Sequence, residues 1–562
     1  MTEPFARLIL PADMVGEVVV CDEGLSFWGG VDPETGVVID AHHDLHGQSL
    51  AHKIVLMPTS RGSCSGSGVL LELALNGHAP AALVFREEEE ILTLGALIAH
   101  RMFDKSLAVL RLPPTDYDAL AEQSHAQIEG SQLRAQGFTR VLHRTSAADL
   151  ALSPEDRTKL EGAHGAPVAL AMDVITTIAV AQGATRLRDI TRGHIDGCIY
   201  AHPANLTFAR AMAEMGARVG VPTTINAVSV DRAASAAPAL APDFRRNASA
   251  LADAYVEMGA RPTFTCAPYL LDDTPKLGEE IGWSESNAVI FANTVLGART
   301  AKHPDYLDLF IAMTGRAPET GVYLTEGRRP GRIVEIELPT CYDDALWPLI
   351  GWIAGRLCPD RIPLLTGLEN AAPDRDALRA ICAAFGTTSA APMLHVAAVT
   401  PESTLPPLPD ATRVRVSASD LAGTWALLNR GPGQVNLVAL GSPHFSLEET
   451  RIFAGLMAGC QVDPAVSAVI TLGRDVYAQA QAEGLVAALA AAGVRFHADL
   501  CWCSIVEPLF PPQTTTLMTN SGKYAHYAPG LSGRAVRFGS LADCAHAAKT
   551  GQTPSDQPVW LR

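Results

Sequence analysis

Hydrophobic positions along the chain fall into two regimes. The first comprises short apolar runs of β-forming residues, Val18 to Val20, Val37 to Ile39, Ile54 to Met57 and Ala82 to Phe85. The first two flank the turn-forming string Asp32-Pro33-Glu34-Thr35-Gly36. A glycine- and serine-rich loop follows the third, and then the apolar run Val69 to Leu75, which stops at Asn76-Gly77 as a helix does. Together these predict a small strand-rich domain over residues 1–112. Residues 113–149 are polar and lack a strong period of two, which predicts a partly helical connection. In the second regime, from Ser153 onward, strand runs alternate with alanine-rich helical stretches. Arg332 to Leu338 precedes Asp343 to Leu357, and Val435 to Leu440 precedes a helix starting near Ser446. The alternation predicts an α/β domain with mostly parallel sheets over 150–562. Ser389 to Val414, rich in Pro, Ser and Thr, reads as a boundary inside it. No fixed-period repeat is visible.

Length and composition narrow this picture. A chain of 562 residues with 48% hydrophobic and 18% charged residues buries a sizeable core and divides into two or more domains. The net charge of −17, with no offsetting basic cluster, argues against nucleic acid as partner. The N-terminus shows no secretory pattern, and the apolar stretch Ala166 to Ala184 contains Asp173 and Gln182, so it reads as a buried helix and not a membrane span. Eleven scattered cysteines suit a reducing, cytoplasmic setting, in which a few are ligands and most are core thiols.

Candidate chemistry sits at strand ends. In Arg61-Gly62-Ser63-Cys64-Ser65-Gly66-Ser67-Gly68, glycines allow a tight turn and free amides at the helix start can hold an anion or a serine alkoxide. An ordinary capped strand–helix turn has the same spacing, and no Walker lysine follows. Cys266 follows the β-type run Pro262 to Thr265, and Cys501-Trp502-Cys503 follows Val494 to Leu500, both positions where α/β domains place ligands. Each cysteine is a thiolate ligand or an inert core thiol. Glu285 and Asn293 lie eight apart on the helical stretch Ser284 to Leu296, a spacing that shares a face. Arg299 is a carboxylate clamp or a structural ion pair. Asn520-Ser521-Gly522-Lys523 offers an anion-binding turn beside a cation. Thr224 and Asn226 follow a short strand. His194 and His444 read as hydrogen-bonded structural histidines, and Glu87 to Glu90 as a solvated charge run opening a helix.

Several strings, in fixed order, resemble the aconitase X family. In the small part they are Arg61-Gly62-Ser63 and Asn76-Gly77-His78-Ala79-Pro80. In the large part they are 221–226, Thr265-Cys266-Ala267-Pro268-Tyr269, 283–288, Phe291-Ala292-Asn293 with 295–300, Gly441-Ser442-Pro443-His444 and 518–523. The resemblance implies an aconitase-like multi-subdomain α/β catalytic part with a small swivelling β/α domain at the N-terminus. It implies a hydro-lyase in which Ser63 is the base and cysteine-held iron is the Lewis acid. True aconitases carry an arginine shortly after that serine; here Cys64-Ser65-Gly66 stands instead, which disfavours a tricarboxylate. Cys266 and Cys503 match the family's cysteines, which leaves Cys501 a spare or supporting thiol. Archaeal relatives have a cysteine where this chain has Ser442, so a third ligand must come from elsewhere. Cys341, opening a helix after Ile333 to Pro339, is preferred over Cys358. The implied cofactor is a 2Fe–2S cluster or mononuclear iron, ahead of a four-iron cluster. Arg61, Thr224, Asn226, Glu285, Asn293, Arg299, Ser521 and Lys523 are then the contacts to a small hydroxy-acid substrate. In this family, fused single chains resemble cis-3-hydroxy-L-proline dehydratases, and two-subunit forms resemble mevalonate 5-phosphate dehydratase. The fused order and Ser442 point to the first substrate, and the second is the alternative. A non-catalytic iron–sulfur sensor and a metal-free lyase are the readings of other classes.

Overall fold

The computed structural model describes residues 5–40, 43–61, 64–232, 240–554 and 557–562. Ile54–Met57, Ala82–Phe85 and Ala108–Arg111 are buried at every residue, as parallel strands covered on both faces are. They pair in parallel with one another and with Met14–Val20. Helices Gly66–Asn76 and Ile91–Phe103 cover one face. The first stops where Gly77 turns left-handed at φ +79°, a conformation a glycine adopts without strain. Leu70, Leu73, Leu94 and Leu97 of these helices share one core with Ile175 and Ile178 of helix Ala166–Ala181. The small domain is thus seated on the large part through apolar helix faces.

Three expectations for this region change. Residues 113–149 are not a connection. After helix Pro114–Ala121, strands His125–Glu129, Gln132–Ala135 and Phe138–Val141 extend the small domain's sheet from Met14–Val20, and His143–Arg144 pairs with Arg7–Leu10 at its other edge. Tyr117, Ile128, Leu133 and Phe138 close the sheet's second face. Val37 to Ile39 makes isolated bridges only, Val38 to Val31 and Val37 to Ser49, for want of a neighbouring strand to extend along. Only Glu87 and Glu88 of the acidic run are exposed. Glu89 turns inward to accept the Leu92 and Thr93 amides at the start of the next helix, at 2.7 and 2.9 Å.

Among the described residues, the large part holds three parallel sheets. Thr223–Ile225, Gly193–Ile195 and Gly282–Trp283 form the first. His395–Val396, Pro363–Thr366, Arg332–Ile336 and Thr412–Val416 form the second. Val494–Ala498, Ser467–Leu472, Leu437–Leu440, Thr516–Thr519 and Ala535–Phe538 form the third. The Pro-, Ser- and Thr-rich segment 389–414 is therefore no boundary: it carries one strand of the second sheet and leads into another. Among the described residues, no helix is long and apolar enough to cross a membrane.

Candidate active site

Parallel sheets present chemistry beyond the carboxyl ends of their strands. Ile195 and Ile225 are register partners, so the next residues, Asp196 and Asn226, stand side by side, and the Asn226 amide donates to Asp196 Oδ1. Asp308 opens the helix Leu307–Thr314 and accepts the Asp196 amide at 2.6 Å and the Gly197 amide at 3.4 Å. Asp305 lies just ahead of that helix, next to Tyr306, whose backbone is held left-handed at φ +80°. Burial pushes Asp305 and Asp308 up to about 7, and burial with Asp305 and Glu285 nearby holds Asp196 well above the carboxylate range.

The small domain reaches this acidic group through its glycine-rich loop. Ser65 Oγ donates to Asp305 Oδ2 at 2.7 Å, and Ser67 Oγ to the Asp305 carbonyl at 3.3 Å. Ser63, the expected base, lies outside the described residues. Arg61, two residues before it, is half-exposed and pairs with Glu23 at 2.6 Å inside its own domain. Lys302 lies close enough to Cys64 and Glu90 for its charge to pull both down against burial, which pushes Cys64 up and Glu90 up to about 8.

Beside the acids, three cysteines from two sheets converge. Cys266 follows Thr265, whose amide bonds to the Ile225 carbonyl at 3.1 Å. Cys501 and Cys503 lie on a turn after Val494–Ala498. Trp502 between them points the other way, its indole donating to the Leu440 carbonyl at 2.7 Å. Cys501 is the central thiol: hydrogen bonds from Cys266 and then Cys503 hold it well below the thiol range, while burial raises Cys266 and the bond to Cys501 raises Cys503. Phe264 at φ +43° and Asp499 at φ +70° stand two residues ahead of Cys266 and Cys501. With Tyr306 they place positive-φ backbone within two residues of Cys266, Cys501 and Asp305, where strain tends to cluster with function. Among the described residues, no three His, Cys, Asp or Glu side chains are spread around a point to hold a metal ion; Cys266 and Cys503 each hydrogen-bond to Cys501, and the three form a soft donor set of the kind that suits iron–sulfur groups.

Lys523 bridges acids and thiols. It is buried in helix Gly522–Ser532 and donates to Glu285 Oε1 at 2.8 Å. Burial pushes its ammonium down, but Glu285 and the three cysteines outweigh that and hold it well above the ordinary lysine range. Glu285 Oε2 accepts the Ala288 amide at 2.8 Å as the cap of helix Ser286–Phe291.

Other expected site residues fall elsewhere. Cys341 is exposed, and Cys358 is buried at the end of helix Leu346–Leu357; the third thiol is Cys501. Asn293 is not on the Glu285 face, because the helix widens into a π-turn at Ala292–Leu296; its amide bonds to the Thr300 and Pro392 carbonyls at 2.8 and 2.9 Å. Arg299 is a structural clamp, donating to the Tyr323 carbonyl at 2.8 Å and to Glu402 at 3.4 Å. Thr224 is tied to His194 Nδ1 at 2.8 Å. Ser521 caps helix Gly522–Ser532 through the Tyr524 amide and donates to the Ser442 carbonyl. The Ser442 hydroxyl itself is buried with no partner among the described residues. His444 donates from Nε2 to the Leu500 carbonyl at 2.6 Å, accepts from Thr265 at Nδ1, and offers its backbone amide to Cys266 Sγ at 3.3 Å. Asp196, Asp305, Asp308, Ser65 and Lys302 are site residues the sequence reading passed over. The string Gly193-His194-Ile195-Asp196-Gly197 held a signal: a strand ending in a lone acid before glycine.

Family descriptions account for nearly the whole chain. The aconitase X swivel domain matches residues 5–135, the first domain 149–326, the second 330–426 and the third 435–550. The chain is 46% identical over 583 residues to a cis-3-hydroxy-L-proline dehydratase of Pseudomonas aeruginosa, covering 99% of both. It is 42% identical to a protein of that name from Hypocrea jecorina, covering 97% of this chain and 95% of the relative. It is 30% identical to the phosphomevalonate dehydratase large subunit of Methanothermobacter thermautotrophicus, over 67% of this chain and 94% of that subunit. A crystal structure of Thermococcus kodakaraensis aconitase X in its holo-form superposes with a TM-score of 0.65 at 28% identity, covering 71% of this chain and all of that one.

Proposed function

Because the chain belongs to the aconitase X family, we propose that it is a hydro-lyase converting cis-3-hydroxy-L-proline to a pyrroline-2-carboxylate and water. The observation that carries the substrate assignment is the sign of the site's charge. Asp305, Asp308 and Glu285 are buried and Asp196 is partly so, and the buried cation among them is Lys523, already paired with Glu285. Such a site favours an amino acid, which brings an ammonium. It disfavours mevalonate 5-phosphate, whose phosphate and carboxylate would add negative charge beside acids that already resist ionisation. The two dehydratases that match over nearly the full length carry the same substrate in their names. That likeness leaves a non-catalytic sensor without support.

Ser63, as the alkoxide, takes the C2 proton, the C2–C3 double bond forms as the C3–O bond breaks, and the departing hydroxide receives that proton back from Ser63 to leave as water. This role is supported by the segment's anchorage: Ser65, two residues on, is bonded to Asp305 at the edge of the site. Cys266, Cys501 and Cys503 would hold the iron group, a 2Fe–2S cluster in preference to mononuclear iron, since cysteine-only donors are those of clusters. When bound, that group supplies Lewis acidity toward the substrate carboxylate or the leaving hydroxyl. Lys523 orients the substrate carboxylate, and the seated small domain excludes water. Reduced cysteines throughout the chain fit a cytoplasmic setting. Ser63→Ala is expected to keep iron content and melting temperature while losing dehydration by at least ~100-fold; near-wild-type turnover in that variant refutes the base assignment.

A further inference from the structure

Of the three buried site acids, Asp305, Asp308 and Glu285, Asp305 is the one with an oxygen that no described residue bonds. Asp308 spends its carboxylate on the Asp196, Gly197 and Leu309 amides, and Asp196 receives the Asn226 amide. Asp305 is 4% exposed, and its Oδ2 accepts from Ser65, but its Oδ1 is buried with no hydrogen-bond partner among the described residues. A buried carboxylate oxygen left unpaired is costly, and the cost is relieved when a ligand supplies the donor. A cationic donor suits it best, because a cation stabilises the ionised form that burial and the neighbouring Asp308 disfavour. The Ser65 hydroxyl holds the other carboxylate oxygen, so the orientation of Oδ1 is set before a ligand arrives.

We propose that Asp305 Oδ1 is the acceptor for the ring ammonium of the amino-acid substrate, with Ser65 as the positioning residue that holds it. The inference rests on the hydroxyproline reading above and extends it. Recognition of the nitrogen would then depend on the small domain being seated, since Ser65 belongs to that domain and Asp305 to the first domain of the large part. A substrate with an ammonium would be selected at the same contact that closes the site.

The test compares two probes differing only at the nitrogen, L-proline and cyclopentanecarboxylate. Their binding to the iron-loaded protein is measured by calorimetry, beside turnover of cis-3-hydroxy-L-proline. The wild type is expected to prefer L-proline by at least ~100-fold, and Asp305→Asn to reduce that preference to below ~3-fold at unchanged melting temperature and iron content. Ser65→Ala, which removes the orienting donor and keeps the Asp305 charge, should lower it ~5- to 10-fold. A preference that survives intact in Asp305→Asn overturns the proposal, as does a wild type with no preference. If Asp305→Asn does not fold, Ser65→Ala decides, and an unchanged preference there overturns it. A preference that collapses in a protein unable to dehydrate cis-3-hydroxy-L-proline upholds the ammonium site and defeats the dehydratase reading. Full turnover with an Asp305-independent preference does the reverse.

Discussion

Replacing Lys523 with methionine keeps the stem's volume and removes the ammonium that Glu285 faces. Both side chains are nearly inaccessible, at 8% and 7% exposure, and the pair is 2.8 Å apart. Removing one partner of a buried pair typically costs ~3–5 kcal/mol, because a charge is left uncompensated. Glu285 keeps two donors, the Ala288 amide at 2.8 Å and the Asn287 side chain, so the low end, ~3 kcal/mol, is expected. Glu285→Gln in the same background removes the stranded charge, and the double variant should return to within ~1 kcal/mol of wild type. The coupling between the two sites is then ~2 kcal/mol or more. Guanidinium unfolding of the iron-free protein measures it through tryptophan fluorescence. Trp502 lies between two site cysteines, with its ring 5.3 Å from that of Tyr524, the residue after Lys523. Additivity of the two substitutions within ~0.5 kcal/mol would show that the charges do not interact and refute the pairing on which the site's polarity rests.

Iron content separates the cysteines: Cys266→Ser, Cys501→Ser and Cys503→Ser should each lose iron by metal analysis, while Cys341→Ser, exposed and outside the thiol cluster, should keep it. Retention of iron by Cys501→Ser would return the third position to another residue. Stability against pH tests the buried acids. Burial raises Asp308 to about 7 from an ordinary 3.8, so the native state holds a proton the unfolded chain releases. That contribution is complete below the unfolded value and is lost as pH rises to about 7. Asp308→Asn should therefore gain on wild type across that window by up to ~1.4 kcal/mol per pH unit, read from denaturant midpoints; parallel profiles would contradict it.

The parallel α/β character of the large part was legible because fully buried strands read as continuous apolar runs, such as Leu437–Leu440 and Ser467–Leu472. The hairpins after residue 124 were not, since their strands are short and half-exposed. Their signal lies in the turns, where Gly130 at φ +58° and Gly137 at φ +73° each sit in a two-residue loop between register partners. Cys266 and the string Cys501-Trp502-Cys503 could be picked out as lying just past strand-like runs, while the choice of Cys503 within that string came from the family resemblance. Cys501 could not be set beside them from sequence, because nothing in Cys501-Trp502-Cys503 announces the turn that swings both thiols to one side and the indole to the other. Asn293 misled for a related reason: a single π-turn shifts the helix face, and no residue type in 292–296 demands one. Asp305 is invisible to pattern reading, since its importance comes from Ser65, 240 residues away in the chain.

Turnover on defined substrates tests the central claim most directly. Protein purified without oxygen and carrying iron should dehydrate cis-3-hydroxy-L-proline, with a pyrroline-2-carboxylate accumulating, and should leave mevalonate 5-phosphate unchanged under the same conditions. Dehydration of the phosphate ester, with cis-3-hydroxy-L-proline untouched, would contradict the reading of an acidic, ammonium-seeking site.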